Sequence, residues 1–329
     1  MGIRAYAQAY APASIGNFAA GFDLMGAALA PLDGTLWGDV VTAETAEAPA
    51  LTVSGPHAAD MPADPWQNLV LSTYALFREA LRVKGTECPS LAFQLEKNLP
   101  RCSGLGSSAS SVAATLAACQ ALLAAPLTRS ELFAVAGLAE ALVSGSAHLD
   151  NVVPSLAGGL QLLVPGQDGQ GGTPDARALP WPDDLVIVVA SPLFELATER
   201  SRRALPREFS LADVLAFAQN LGGFVHALES GDRDLLRRCL RDVLAEPWRA
   251  PLVPGFRAAQ AAALAAGALG CTLSGAGPAI FAVAEDPGQA EEIADALRRG
   301  LEEAGLPTTT RLCRLDAAGS RVLPEGTLS

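Results

Sequence analysis

The stretch Pro100–Ser111, Pro-Arg-Cys-Ser-Gly-Leu-Gly-Ser-Ser-Ala-Ser-Ser, constrains this chain more than any other. A strand-like segment, Leu91–Leu95, runs into it and an Ala-rich segment follows. Gly104 and Gly106 let the backbone turn tightly and approach a ligand without Cβ obstruction. Ser107 and Ser108 stand where a helix is capped. Beyond them Val112, Leu116, Cys119, Leu122 and Leu123 recur at helical spacing and predict one apolar face. A glycine turn feeding a helix start presents unpaired N–H groups and the positive end of the dipole, so it binds anions, phosphate above all.

Other glycine-rich loops are excluded or weakened. No Gly-Lys-Ser/Thr occurs, and the only lysines are Lys84 and Lys97, so this is not a Walker A loop. No His-Arg-Asp or Asp-Phe-Gly of a protein kinase is present. Gly104–Ala109 fits the Gly-x-Gly-x-x-Ala form of a dinucleotide fold, which also needs an acidic residue roughly 20 positions on. Glu131 is nearest, but Thr128-Arg-Ser-Glu131 reads as a capping box at another helix start. The glycines alone leave two readings open, a phosphate loop or a helix-start turn with no ligand.

A length of 329 residues suits two domains sharing a cleft, and a 50% hydrophobic content supplies a sizeable core. A net charge of −12 without a basic stripe argues against nucleic acid. An anionic nucleotide is compatible only if N–H groups, arginines and a cation offset the repulsion. The six cysteines show no Cys-x-x-Cys pair and no metal spacing, which suits reduced core thiols. Met1–Tyr6 lacks a signal-peptide h-region and no run of 18 apolar residues occurs. A soluble cytoplasmic protein with no membrane partner is expected.

Residues 4–10 read as a first strand. Ala11–Gly26 is rich in small residues, with Ser14, Asn17 and Asp23 as its polar side chains. Either it is an irregular loop whose Asn17 and Asp23 bond their own backbone, or it lines a polar pocket. Strands are expected at 39–44 and 51–54, and an amphipathic helix over 67–83. Pro126 breaks the chain before a helix over 129–144, which Gly145 ends. Glu140 on that helix is either a surface salt-bridge partner or, with a serine hydroxyl, a Mg²⁺ ligand. His148 is expected to be a packed or solvated loop histidine, and Asp150-Asn151 open the next segment. The composition shift over 165–182 places the domain boundary, giving 1–168 and 169–329. Beyond it come a buried strand at 185–190, helices at 210–228, 232–245 and 256–268, a strand–glycine turn–strand at 271–283, a helix at 287–305 and a last strand at 308–315. Arg200, Arg202, Arg203 and Arg249 are surface ion-pair formers unless a planar carboxylate has to be held. The alternation reads as α+β.

The motifs Ala11–Gly26, Gly104–Ser111 and Leu273–Pro278 resemble, in order and spacing, those of the GHMP small-molecule kinases, over nearly the whole chain. The likeness is nearest the branch that phosphorylates the amino acid homoserine in threonine biosynthesis. Glu140…Ser-Gly-Ser-x-His-x-Asp-Asn151, Thr198…Arg202…Leu-Pro206, Glu246-Pro-Trp-Arg249 and Cys313-Arg-Leu-Asp carry it. The resemblance implies an N-terminal domain like ribosomal protein S5 domain 2 and a ferredoxin-like C-terminal domain. It implies ATP held by Pro100, Arg101, Cys102, Ser103, Gly104, Leu105, Gly106, Ser107, Ser108, Ala109 and Ser110. It implies Mg²⁺ at Ser108 and Glu140. Homoserine would be held by Asn17, Asp23 and Asn151, with Asp23 on its ammonium and Arg202 and Arg249 on its carboxylate. Thr198 and the Ser274–Gly277 turn, Gly275 included, would flank the transferred phosphoryl group. A homodimer is implied as well. Another small alcohol is the alternative substrate.

Relatives of the mevalonate-kinase type carry a basic aspartate where this chain has Asn151. An amide accepts no proton usefully, so no dedicated carboxylate base is expected and the proton passes late, to the phosphate. Asp150, adjacent and ionisable, is the residue that would overturn this. Cys102 and Ser103, Phe18-Ala-Ala and Arg200 depart from the family pattern.

Overall fold

The structure is a computed structural model that describes residues 6–123, 127–145, 148–166 and 172–324. The Met1–Tyr6 segment up to residue 5, the Pro126 break, Ser146 and part of the glycine-rich shift at 167–171 lie outside the described residues.

The first sheet has the order β13-β1-β4-β6-β5. Its strands are β1 (Tyr6–Pro12), β4 (Gly38–Thr45), β5 (Ala50–Ser54), β6 (Leu91–Glu96) and β13 (Arg321–Val322). β5 and β6 are parallel and joined through helix α1 (Leu69–Val83), while the other pairs are antiparallel. Helices α2 (Ser107–Leu122), α3 (Arg129–Ser144) and α4 (Leu149–Ala157) cover the same face as α1. The alternation of β6 explains the packing, since Leu91, Phe93 and Leu95 are buried with α1 and α2. The single apolar face expected for α2 is an underestimate. Ala113, Ala114, Thr115 and Ala118 are buried together with Val112, Leu116, Cys119 and Leu122. Small residues let a helix sit against a sheet and three helices at once.

The second sheet has the order β10-β11-β9-β12-β3-β7-β8. Its strands are β3 (Met25–Pro31), β7 (Leu160–Val164), β8 (Asp175–Leu179), β9 (Val186–Pro192), β10 (Gly270–Leu273), β11 (Ile280–Ala284) and β12 (Thr308–Leu315), and the short β2 (Ser14–Gly16) pairs with β3. Counted by appearance, β9, β10, β11 and β12 lie in the order 4-1-3-2, the ferredoxin-like arrangement. Helices α9 (Phe256–Ala265) and α10 (Pro287–Glu302) cover one face, where Val186, Val188 and Ala190 meet Phe256, Ile293 and Leu297. The alternate residues Ile187 and Val189 pack on the other face with Phe224, Leu228 and Leu236, from α6 (Leu211–Ser230) and α7 (Arg233–Cys239). α5 (Thr198–Arg203) and α8 (Glu246–Arg249) are short helices at the cleft. α6 is the one described helix long and apolar enough to cross a membrane by length and composition, and Leu211, Val214 and Leu215 on it are exposed.

Three local expectations are corrected. Residues 308–315 are not the last strand, because β13 follows and returns to β1. The helix expected over 232–245 stops at Cys239, and Leu240 leaves the helical region. Within Ala11–Gly26 the chain makes β2 and begins β3. The strand ladders also cross residue 168 in both directions, β12 pairing with β3 and β13 with β1.

Candidate active site

Four successive carbonyls of the Pro100–Gly106 loop are taken by three other parts of the chain. Cys102 O accepts from Leu196 N (3.1 Å), Ser103 O from Ala279 N (3.1 Å), Gly104 O from Ser274 Oγ (2.5 Å) and Leu105 O from Ser14 N (3.0 Å). In a trans peptide the N–H points opposite to the carbonyl it is joined to. The N–H groups of Ser103 through Gly106 therefore point away from these partners, just ahead of α2, and Ser103, Gly104 and Gly106 line the cavity. Free N–H groups ahead of a helix start suit an anion. Gly106, not Ser107 or Ser108, is the cap of α2, with φ of 64°. A Cβ there would lie 2.0 Å from Ser14 Oγ, so glycine is required twice over. Ser107 instead donates to Leu99 O at 3.0 Å. Cys102 takes a left-handed φ of 51°, a strained state in a loop fixed from all sides.

Not every loop residue faces the cleft. Leu105 is buried in the core. Ser110 Oγ donates to Ala11 O (2.7 Å) and accepts from Asp39 N (2.8 Å). Pro100, Leu105, Ala109 and Ser110 are not among the cavity-lining residues, whereas Arg101, Cys102, Ser103, Gly104, Gly106, Ser107 and Ser108 are.

Ser108 Oγ donates to Glu140 Oε2 at 3.1 Å. Glu140 is no surface salt-bridge partner, being 6% exposed. Burial pushes its carboxyl up to about 7, the Asp150 charge adds to this, and the Ser108 hydrogen bond and Lys97 oppose it. A buried carboxyl beside a hydroxyl, facing the phosphate loop, fits a hard divalent cation. Mg²⁺ takes one or two protein oxygens and completes its shell with phosphate and water. Among the described residues no group of three His, Cys, Asp or Glu side chains is placed to hold a metal ion. Cation binding requires the ionised carboxylate, so it competes with the proton. Mg²⁺–nucleotide affinity should therefore rise by up to about tenfold per pH unit below 7 and level off above 8. Calorimetry at pH 6, 7 and 8, corrected for the nucleotide's own protonation, checks this. A flat profile would remove Glu140 from the cation site.

Across the cleft, residues 17–19 form a left-handed turn, with φ of 65°, 36° and 63°. Phe18 anchors it, stacked on Phe281 and edge-on to Trp181 at centroid distances of 5.2 and 5.1 Å. Asn17 ties three parts together. Its N–H donates to Asp150 Oδ2 (3.0 Å), its Nδ2 to Gly275 O (3.0 Å), and its Oδ1 accepts from Asp23 N (3.0 Å). The pocket-lining reading of Ala11–Gly26 thus holds, while the local-bond reading holds for Asn17 alone, since the Asp23 carboxylate reaches Arg202 instead of its own backbone. Asn151 Oδ1 accepts from Ser14 Oγ at 3.1 Å. Burial and the nearby Asp23 charge push Asp150 up to about 7 against the Asn17 hydrogen bond.

Arg202 and Arg249 flank the ring of Phe22, their guanidinium carbons 5.8 and 5.1 Å from its centroid. Arg249 is 4% exposed and donates to Gly275 O at 3.1 Å, and its Nε has no partner among the described residues. Arg202 places Nη1 and Nη2 at 3.0 and 2.5 Å from Asp23 Oδ2. Arg202 is thus bonded to the carboxylate expected to hold a ligand's other end. His148 Nδ1 is 3.0 Å from Arg202 Nη2 and 3.6 Å from Asp23 Oδ1, so it is a cleft residue rather than a bystander. Burial holds its pKa below the usual histidine range. Thr198 is exposed at the cleft, while Arg203 pairs with Glu199 on the surface. One cavity of about 390 Å³ is lined by the phosphate loop, Glu140, Asp23, His148 and both arginines.

Residues 68–159 match the family model for the GHMP kinases N-terminal domain, and 224–303 that for the GHMP kinases C-terminal domain. The chain belongs to the GHMP kinase family. The kinase is 32% identical to homoserine kinase from Cytophaga hutchinsonii, over 98% of this chain and 99% of that one, with a TM-score of 0.87. It shares the fold of a putative homoserine kinase from Listeria monocytogenes, at 21% identity, TM-score 0.68 and coverage of 97% and 99%. It also shares that of L. major mevalonate kinase in complex with R-mevalonate, at 17% identity, TM-score 0.67 and the same coverage. The two-domain α+β architecture read from the motifs is thereby shown.

Proposed function

We propose that this kinase transfers the γ-phosphoryl group of ATP to the side-chain hydroxyl of L-homoserine. The observation that carries the reading is the pair of guanidiniums beside one carboxylate, across a single cavity from an anion-binding loop. A neutral sugar needs no such pair, and a hydroxy acid without an amine would draw Arg202 from Asp23 and give Asp23 no cation in exchange. A zwitterion answers both charges, with its carboxylate on Arg249 and Arg202 and its ammonium on Asp23. The Asp23–Arg202 ion pair keeps these charges matched before the ligand arrives and re-forms around it. The 32% identical homoserine kinase supports the same choice.

Phosphoryl transfer runs through a loose transition state, so positioning and charge neutralisation do most of the work. Ser108 and Glu140 would hold Mg²⁺, which neutralises phosphate charge. The loop N–H groups hold the phosphates, and Asn17 and Asn151 orient the acceptor. An ADP-release assay over homoserine, threonine, serine, mevalonate and galactose tests the substrate. Turnover of mevalonate or galactose in preference to homoserine would sink it.

Asp150 serves here as the acceptor that holds the left-handed Asn17 turn, not as the base. Asp150→Asn keeps an acceptor for the Asn17 N–H, so kcat should fall by less than about tenfold. General bases contribute about 10²–10⁴-fold, and a loss of that size with homoserine binding intact would make Asp150 the base.

A further inference from the structure

Beneath the phosphate loop lies a buried ion pair that the assigned roles do not use. Lys97 and Asp39, 58 residues apart in sequence, are 2% and 0% exposed at their side chains. The Lys97 ammonium donates to Asp39 Oδ2, to Ser107 O in the first turn of α2 (2.8 Å) and to Ser111 Oγ (3.0 Å). That fills all three of its donors. Asp39 is equally saturated. Its Oδ1 accepts from Asn98 N (2.9 Å) and Leu99 N (3.1 Å), and its Oδ2 also accepts from Ser111 Oγ (2.6 Å). The pair thus binds β4, the chain just after β6 and the first turn of α2 at one point. Its position is not that of a core strut alone, because Lys97 lines the cavity beside Ser107 and Ser111. Its charge also reaches Glu140 and favours the ionised carboxylate there.

A buried ion pair is weak evidence for stability, since apolar side chains of similar shape often replace one without loss. A lysine kept here at that desolvation cost, on the rim of an anion seat and in a chain of net charge −12, calls for a role of its own. We propose that Lys97 is a positioning residue for the nucleotide. Held by Asp39 and Ser111, it fixes the first turn of α2 and places a positive charge behind the phosphates. The inference rests on reading the Pro100–Ser108 loop as the ATP seat.

The test separates support of the fold from support of the ligand. Wild type, Lys97→Met, Asp39→Asn and the double variant Lys97→Met/Asp39→Asn are compared by melting temperature and by calorimetric binding of AMP-PNP with Mg²⁺. The double variant removes both charges and keeps an acceptor for Asn98 and Leu99. It should regain most of the melting temperature lost in Lys97→Met, yet bind AMP-PNP about tenfold more weakly than wild type, with the homoserine KM within threefold. Recovery of both stability and AMP-PNP affinity would show the pair to be structural only and overturn the proposal. Equal weakening toward both substrates would overturn it too. Should the Met variants not fold, Asp39→Asn decides. It removes the carboxylate that holds Lys97 in place and keeps it charged against burial, so it should bind AMP-PNP severalfold more weakly than wild type with the homoserine KM unmoved, and unchanged AMP-PNP affinity refutes the positioning role. Wild type that fails to bind AMP-PNP would instead refute the ATP seat itself, an outcome distinct from the others.

Discussion

Glu140→Gln should lower kcat by about 10²–10³-fold, the usual consequence of removing one group that neutralises charge in the transition state. Glutamine has the shape of glutamate and still accepts from Ser108, so the fold should survive. The melting temperature should hold or rise, because a buried carboxyl that resists ionisation is gone. Excess Mg²⁺ should not restore the rate, and the homoserine KM should move little. Steady-state kinetics over a Mg²⁺ series beside a melting curve gives the answer. A kcat within threefold of wild type would take Glu140 out of the cation site and leave Ser108 without a companion ligand.

Arg249→Ala should raise the homoserine KM by about 100-fold and leave the ATP KM nearly unchanged. Two charge-assisted hydrogen bonds to a carboxylate, at about 1.5–3 kcal/mol each, cover that loss. The geometry makes this residue the sharper test of the two arginines. It is fixed by Gly275 O and the Phe22 face, and its Nε, without a partner among the described residues, is held in a buried position. Arg202, a third exposed and bonded to Asp23, has less to lose. Arg249→Lys keeps the charge without the fork and should fall between wild type and alanine. Equal increases in both KM values would mean the substitution had disordered the cleft and would count against a carboxylate-holding role.

The features legible in the sequence are those written within a few residues. The capping box at Thr128–Glu131 forms as the spacing demands, and Gly145 ends α3 in a left-handed turn. The buried strand at 185–190 shows itself by its unbroken apolar run, because both of its faces are covered. The Ala11–Gly26 segment is opaque for the opposite reason. It holds the three-residue β2 and only the start of β3, separated by a left-handed turn whose own Phe18 is anchored on Phe281. Glycines at 104 and 106 announce a turn but not its direction. That comes from Leu196, Ala279, Ser274 and Ser14, which take the loop carbonyls. Lys97 and Asp39 carry no local signal, since each looks like an ordinary charge flanking a strand. Phe22 likewise reads as one more apolar residue until two arginines are folded onto it. His148 had a signal, two residues before Asp150, but nothing local tells a cleft histidine from a solvated one.

Because β12 lies against β3 and β13 against β1, the polypeptide leaves each sheet and later comes back to it. No single cut in the primary structure yields a fragment whose edges are all native. The span from anion loop to guanidinium pair is set by inter-strand registry rather than by the slack of a tether, so the enzyme's reach from donor to acceptor is dictated by its backbone weave.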